Sequence, residues 1–266
     1  APLFQVSIIN TYTLAANSDL VLDAKRTLAE NYGIDSPFWE NNDKEAMPDV
    51  IVVLKANLQE LAQHFHANAR KTGSNDDYAN AVRYYRSFVQ SYRRDPGTSY
   101  VNFLLSELLF ENKQYLDAAT EYERTAYAYP PHEQSSESGY AALLAYTEHE
   151  KSSLDATEKQ LWRRRGIMSA IRFTETFPEH PQANPVLVKT AEDLFQMNEP
   201  LLATRLAKTI IENKELPPEL QKTAHTLLAK AAFEQKDYLL AESHFQSLVE
   251  LTPETSPDHH ELVEQL

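Results

Sequence analysis

YLDAATEYERTAYAYP (residues 115–130) and YLLAESHFQSLVELTP (residues 238–253) are one helix written twice. Segments starting at Tyr78, Arg163 and Pro200 align with them without gaps. Three residues into each segment stands a small residue: Ala81, Ala118, Gly166, Ala203 and Ala241. Four further on comes the next inward position: Tyr85, Tyr122, Ala170, Ala207 and Phe245. Proline closes three segments (Pro130, Pro178, Pro253) and follows the other two within a few residues (Pro96, Pro217). The starts lie 37, 48, 37 and 38 residues apart. Self-similarity at such a period is the mark of a solenoid, in which each unit buries its apolar face on its neighbours. Solenoids present extended binding surfaces.

Composition narrows the function classes. Five glycines in 266 residues suit long helices joined by short turns. A net charge of -14 argues against nucleic acid, whose phosphates need clustered Lys and Arg, and against anionic membrane surfaces. No apolar run is long enough to span a bilayer, so no direct membrane insertion is expected. The chain has no cysteine, which rules out disulfides and thiolate metal sites and is compatible with an oxidising compartment.

Each aligned segment reads as the second helix of a pair. Nine residues before four of the five starts is another small residue: Ala69, Ser106, Ala191 and Ala229. Small residues at matched sites let two helices cross closely. The Arg163 unit has Leu154 there and carries the longest spacing. An insertion of roughly ten residues, or a longer helix, is expected near 131–162.

This pattern resembles the tetratricopeptide repeat over roughly residues 50 to 254. The family's first-helix small site matches Ala69, Ser106, Ala191 and Ala229, and its second-helix alanine matches Ala81, Ala118, Ala203 and Ala241, with Gly166 as a variant. Its aromatic site matches Tyr85, Tyr122 and Phe245, while Ala170 and Ala207 depart; its closing proline matches Pro130, Pro178 and Pro253. The Trp that the family carries early in the first helix is replaced by Phe65, Asn102, Leu187 and His225. The resemblance implies an all-α superhelix, a solenoid of about six helix hairpins wound right-handed. Turns such as PEHPQANP (178–185) and DPGTSY (95–100) are similar to those of periplasmic and outer-membrane-associated bacterial members.

Residues 1–49 read as a degenerate hairpin plus loop. VSIINTYTLAA (6–16) and SDLVLDAKRTLAENYG (18–33) are the helices; Ser18 is a candidate cap and Gly33 a candidate left-handed terminator. DSPFWENNDKEAMPD (35–49) is a loop under which Phe38 and Trp39 pack. The array runs over 50–256. SPDHHELVEQL (256–266) holds the start of a further, truncated repeat at 257–266, with Leu262, Val263 and Leu266 on one face. A piece of a longer array, packed against neighbouring repeats of its parent chain, is expected.

The search for catalytic chemistry is negative. There is no glycine-rich phosphate loop, no GxSxG and no HExxH. His64 and His66 are two apart on a helix and diverge. His259 and His260, with Asp258, read as a solvated helix start rather than a metal site, and His180 as a turn residue. No cofactor and no metal is expected. Arg163, Arg164 and Arg165 form the one basic run. They read as a patch for an anionic or acidic partner, or as a solvated face paired with glutamates such as Glu158; in so acidic a chain the second is preferred. Arg83, Arg86, Arg93 and Arg94 carry the same two readings.

The family resemblance implies that first helices line the concave side. Carried over, the inward positions are Gln63, His66 and Arg70; Tyr100, Phe103, Glu107 and Phe110; Val188, Glu192 and Phe195; and Thr226, Lys230 and Phe233. Aromatics alternating with charges suit a peptide channel, with apolar anchors and a few polar groups that fix register. Phe110, Phe195 and Phe233 could equally pack within their own repeats. The variant of the family that clamps a carboxylate with Lys and Asn is not expected, because Phe103, Glu107 and Glu192 stand at those sites and acids repel a carboxylate. The expected function is a non-enzymatic scaffold binding a protein or peptide partner, in a periplasmic or outer-membrane setting. Its rivals are an accessory domain of a larger enzyme or polysaccharide export or modification system, and a cytoplasmic assembly scaffold.

Overall fold

The computed structural model describes residues 2–152, 155–214 and 216–264, and among them it holds thirteen α-helices and no strand. In order they are α1 (Pro2–Leu14), α2 (Ser18–Tyr32), α3 (Pro48–Thr72), α4 (Asn75–Ser91), α5 (Thr98–Glu111), α6 (Tyr115–Tyr127) and α7 (Ser135–Glu150). Then follow α8 (Ala156–Thr176), α9 (Ala183–Gln196), α10 (Pro200–Glu212), α11 (Pro218–Glu234), α12 (Tyr238–Leu251) and α13 (Pro257–Glu264). They run as six consecutive hairpins with α13 after the last. Two compact units, residues 1–145 and 146–266, divide within α7.

The small residues of the repeat sit where helices cross. Ala81, Ala118, Ala203 and Ala241 on second helices are buried, as are Ser106, Ala191 and Ala229 on first helices. At Gly166 a Cβ would lie 3.4 Å from Cβ of Tyr146, so α7 and α8 approach closely there. Two of the departures at the position of the family's Trp are also accounted for. Phe65 stacks on Tyr84 at 5.7 Å. Asn102 substitutes hydrogen bonds for packing: its buried amide donates to the Glu121 carbonyl (2.9 Å) and to Oγ1 of Thr125 (2.8 Å), tying α5 to α6.

Four hairpin turns are built alike. Ala16, Lys113, Asn198 and Lys236, each two residues before a second helix, adopt φ of 53°, 61°, 60° and 61°. At Lys113 the amide donates to the Phe110 carbonyl and the next amide, of Gln114, to the Leu109 carbonyl, both at 2.9 Å. This 5→2 and 6→1 pair satisfies carbonyls left over at the helix end. The same pair recurs at the other three turns. The α3/α4 turn uses Gly73 instead, at φ 70°.

At the N-terminal end two expectations are corrected. Asn17, not Ser18, caps α2, accepting from the Leu20 amide at 3.3 Å; Ser18 is already the first helical residue. Gly33 is not left-handed (φ -51°). It is glycine for another reason: a Cβ there would sit 2.6 Å from the Ala29 carbonyl oxygen. Helix α1 also starts before Val6, at Pro2. The 35–49 segment contains a 3-10 turn, Pro37–Glu40. Trp39 is buried and donates its indole N–H to the Tyr32 carbonyl (2.8 Å), and Phe38 lies edge-on to Tyr32 and Trp39. They join Ile9, Leu28, Val50 and Leu54 in one core.

The long spacing before Arg163 is occupied by helix. At 21 residues, α8 begins at Ala156, so it adds about two turns ahead of the repeated segment. Leu154 and Leu266, assigned above to a small site and to an apolar face, lie outside the described residues.

Candidate functional site

In the first unit, α5 presents the densest set of residues picked out by the repeat register. Tyr100 is 43% exposed, and Phe103, Glu107 and Phe110 are half-buried. Their spacing of three and four places them on one side of the helix. Phe103 and Phe110 both lie 6.4 Å from the ring of Tyr122, and Phe110 also meets Tyr115 edge-on at 5.3 Å. Phe110 therefore packs within its own hairpin. Glu107 accepts a hydrogen bond from the Tyr122 hydroxyl. Burial, reinforced by that bond, pushes the Tyr122 phenol far above its ordinary pKa, so it stays a donor.

Behind this row lies a polar junction that sequence reasoning did not find. Glu111, at the end of α5, accepts from Nε of Arg70 at 2.7 Å and a second bond from the same guanidinium. It also meets Nε2 of His66 at 3.2 Å, while Nδ1 of His66 lies 3.1 Å from the Tyr85 hydroxyl. A carboxylate can only accept, so Nε2 carries the proton and Nδ1 accepts from Tyr85. Burial lowers the His66 pKa despite the bond to Glu111 and with help from Arg70, so the ring is neutral at neutral pH. Burial opposes the charge on Glu111, but the bonds from Arg70 and His66 outweigh it and its pKa is lowered. The signal was present: Glu111 follows Arg70 by 41 residues, one 37-residue repeat plus one helical turn.

His66 thus belongs to the interior, and its placement on an open groove is corrected; the i, i+3 position is taken inward to reach Tyr85. Arg70 is more than half exposed but committed to Glu111. A cleft of about 330 Å³ lies beside the pair, lined by Arg70, Tyr78, Leu108, Glu111 and Asn112 among others.

In the second unit, Glu192, Phe195, Thr226 and Lys230 line one cleft of about 330 Å³ between α9 and α11. Residues from successive first helices, selected by repeat position alone, therefore share a surface. Val188 does not join them. It is buried in the core with Ala207, Ile210 and Leu228, which corrects its assignment to the groove. Phe195 packs partly into the same core. Phe233 lies edge-on to Tyr238 of its own hairpin at 5.5 Å, yet is 59% exposed.

The arginine run is engaged within the chain. Arg163 donates Nε to Glu150 at 2.9 Å, Arg164 pairs with Glu199, and Arg165 stacks 4.5 Å over Trp162. Glu158 is not the partner expected. It closes a capping box with Asp155 at the start of α8, its side chain accepting from the Asp155 amide and its own amide donating back. Arg83 meets Glu30 and Arg86 meets Asp117 at 3.2 and 3.7 Å.

Of the histidines, His180 lies edge-on to Phe173 and accepts from the Gln182 amide, and His260 pairs with Glu264 at 3.4 Å. His225 and His244 meet Nδ1 to Nδ1 at 3.1 Å across α11 and α12; burial lowers both pKa values, helped at His225 by His244 and at His244 by Lys208. Among the described residues no three His, Asp or Glu side chains converge as a metal-ligand set, and no helix is long and apolar enough to cross a membrane.

Residues 67–133 match the family model of the tetratricopeptide repeat. That span contains the end of α3, all of α4, α5 and α6, and Arg70, Tyr85 and Glu111 of the junction, while His66 lies one residue before it. No curated protein matches the chain. Among solved structures it is similar to the C-terminal part of a tetratricopeptide repeat-containing protein of Cytophaga hutchinsonii (14% identity, 99% of this chain and 88% of the other, TM-score 0.44). It is similar also to PilF of Pseudomonas aeruginosa (14%, 100% and 97%, TM-score 0.37) and to the type IV pilus biogenesis factor PilW (11%, 98% and 98%, TM-score 0.39).

Proposed function

We propose that this chain, whose residues 67–133 match the tetratricopeptide repeat, is a non-enzymatic scaffold that docks a peptide or protein partner along the first-helix face. The repeat generally serves as a scaffold for protein–protein interaction. In the first unit the docking residues are Arg70, Tyr100, Phe103, Glu107 and Phe110; in the second they are Glu192, Phe195, Lys230 and Phe233. The arginines at 163–165 play no part in it, since their cation and ring contacts are made within the chain.

The observation that carries this reading is the state of the α5 row. Its polar member is already held: Glu107 by Tyr122. What remains to be covered is ring surface, Tyr100 foremost. Exposed aromatic anchors set among fixed polar groups are the composition of a recognition surface. An extended peptide fits it, with apolar side chains against Tyr100 and Phe103.

We place the protein in the bacterial envelope, periplasmic or outer-membrane-associated, on the strength of its turn sequences, acidity and lack of cysteine. Neighbouring repeats of a parent chain are proposed to cover α12. Tyr78 on α4 donates to Gln114 in the turn of the following hairpin (3.0 Å). Its counterpart Tyr238, with Leu239, is exposed.

The test is a photo-crosslinking amino acid at Tyr100 in cells, with Glu158 as control. A discrete protein adduct from Tyr100 alone supports the reading, and its identity reports the compartment. Equal adducts from both positions, or none from Tyr100, would sink it.

A further inference from the structure

We infer that the junction of His66, Tyr85 and Glu111 is a proton-operated hinge between the α3/α4 and α5/α6 hairpins, and that it regulates the first-helix docking face. Its consequence for docking rests on the function proposed above; the hinge itself stands on geometry alone.

One imidazole bonds to two different elements. Nδ1 accepts from Tyr85 on α4, within its own hairpin, and Nε2 donates to Glu111 on α5, in the next. The Tyr85 side chain is almost wholly buried, so its hydroxyl proton has few other places to go. Protonation at Nδ1 turns that atom from acceptor to donor. Two donors then face each other, and the Tyr85 hydroxyl must rotate its proton away and accept. On the other side the imidazolium attracts Glu111 more strongly than the neutral ring does. Acid therefore reverses the tie within the first hairpin, stranding the buried Tyr85 hydroxyl proton, and tightens the tie to the second.

The surrounding charges decide how far this goes. On α3 itself, Arg70 opposes a second cation beside it. On α5, Glu111 and Glu107 favour one. On α4, Tyr85 is pushed up by burial and remains a neutral phenol. On the α2 side, Arg26 lies over the Phe65 ring and Lys25 is paired with Glu60. Of the side-chain types in this set, histidine is the one whose ordinary pKa lies between pH 5 and 8. Arg70, Tyr100, Phe103 and Glu107 ride on the two helices that the junction couples, so a shift of α5 against α3 alters their spacing.

The chain has no cysteine, so two introduced cysteines can be spin-labelled without background. Gln63 on α3 and Thr120 on α6 are exposed and outside the junction. Distances between labels there are measured at about pH 8 and then stepwise down to about pH 4, because burial holds the His66 pKa below the ordinary value of about 6.5. The expected result is a distance distribution that shifts at the lower pH, with helical circular dichroism unchanged, and that stays fixed in His66→Gln. Tyr85→Phe, which removes the bond that protonation reverses, is a second variant and should show a reduced shift. No shift in the parent protein, or the same shift in His66→Gln, would overturn the inference. No partner is present in this measurement, so its failure is distinct from failure of the docking proposal.

Discussion

Glu111 holds Arg70 and His66 at once, across the seam between two repeats. The first contact is a two-bond ion pair at the surface and the second reaches a buried ring. An exposed pair alone contributes little, about 0–1 kcal/mol. The buried arm is what makes the seam sensitive to pH.

Stability should fall on mild acidification. His66, His225 and His244 all have pKa values lowered by burial. A histidine with a depressed folded-state pKa contributes stability above the unfolded value of about 6.5 and loses it as pH falls through the folded value. Glu111 and Asp95 are lowered too, so their contribution is lost further down, as pH falls below the ordinary carboxylate range. Urea midpoints should therefore drop steadily from neutral pH downwards, and His66→Gln should flatten the first part of the fall. A midpoint that rises on acidification would contradict this.

Gly166→Ala should stabilise the protein. The glycine lies inside α8, where it costs about 1 kcal/mol relative to alanine. The added Cβ would meet Tyr146 at 3.4 Å, ordinary contact distance, and restores the alanine found at the other four matched sites. A gain of up to about 1 kcal/mol in denaturant unfolding is expected; a loss would mean that α7 and α8 cannot absorb the methyl group.

Lys113→Gly should also stabilise. Lys113 is exposed and held at φ 61°, a conformation that costs a side-chain-bearing residue roughly 1 kcal/mol. Glycine relieves that cost, partly offset by the freer unfolded chain. Removing a glycine has the opposite effect at the other helix end: Gly33→Ala should destabilise, by collision with the Ala29 carbonyl. Thermal melts of the two variants should move in opposite directions.

Much of the architecture was legible because it is written redundantly. Five alignable segments reported helix, pairing and crossing sites, and an error at one, such as Gly166, was covered by four others. What is written once was harder. Gly33 was recognised as a helix end, but a close carbonyl, not a left-handed turn, is why it is glycine, and a single sequence cannot separate those causes. The left-handed residues at Lys113 and Lys236 gave no local signal, whereas Asn198 is of a type that tolerates that conformation.

At the candidate site, repeat register says which side of a helix a residue takes but not its depth. Val188 and His66 occupy inward positions and are buried, because the register says which side a residue takes and not how closely the next helix covers it. Glu111 went unnoticed because it stands one place beyond the expected row. Its role appears only when α3 and α5 are brought side by side.

The central claim is that a partner lies against the α5 row. Once crosslinking from Tyr100 has identified that partner, its affinity for the purified chain should be measured with Tyr100→Ala and Glu158→Ala. Loss of an aromatic anchor in a recognition surface costs about 2 kcal/mol or more, so binding to Tyr100→Ala should weaken by roughly thirtyfold while Glu158→Ala binds as the parent does. Equal affinity for all three proteins would place the partner elsewhere and contradict the account.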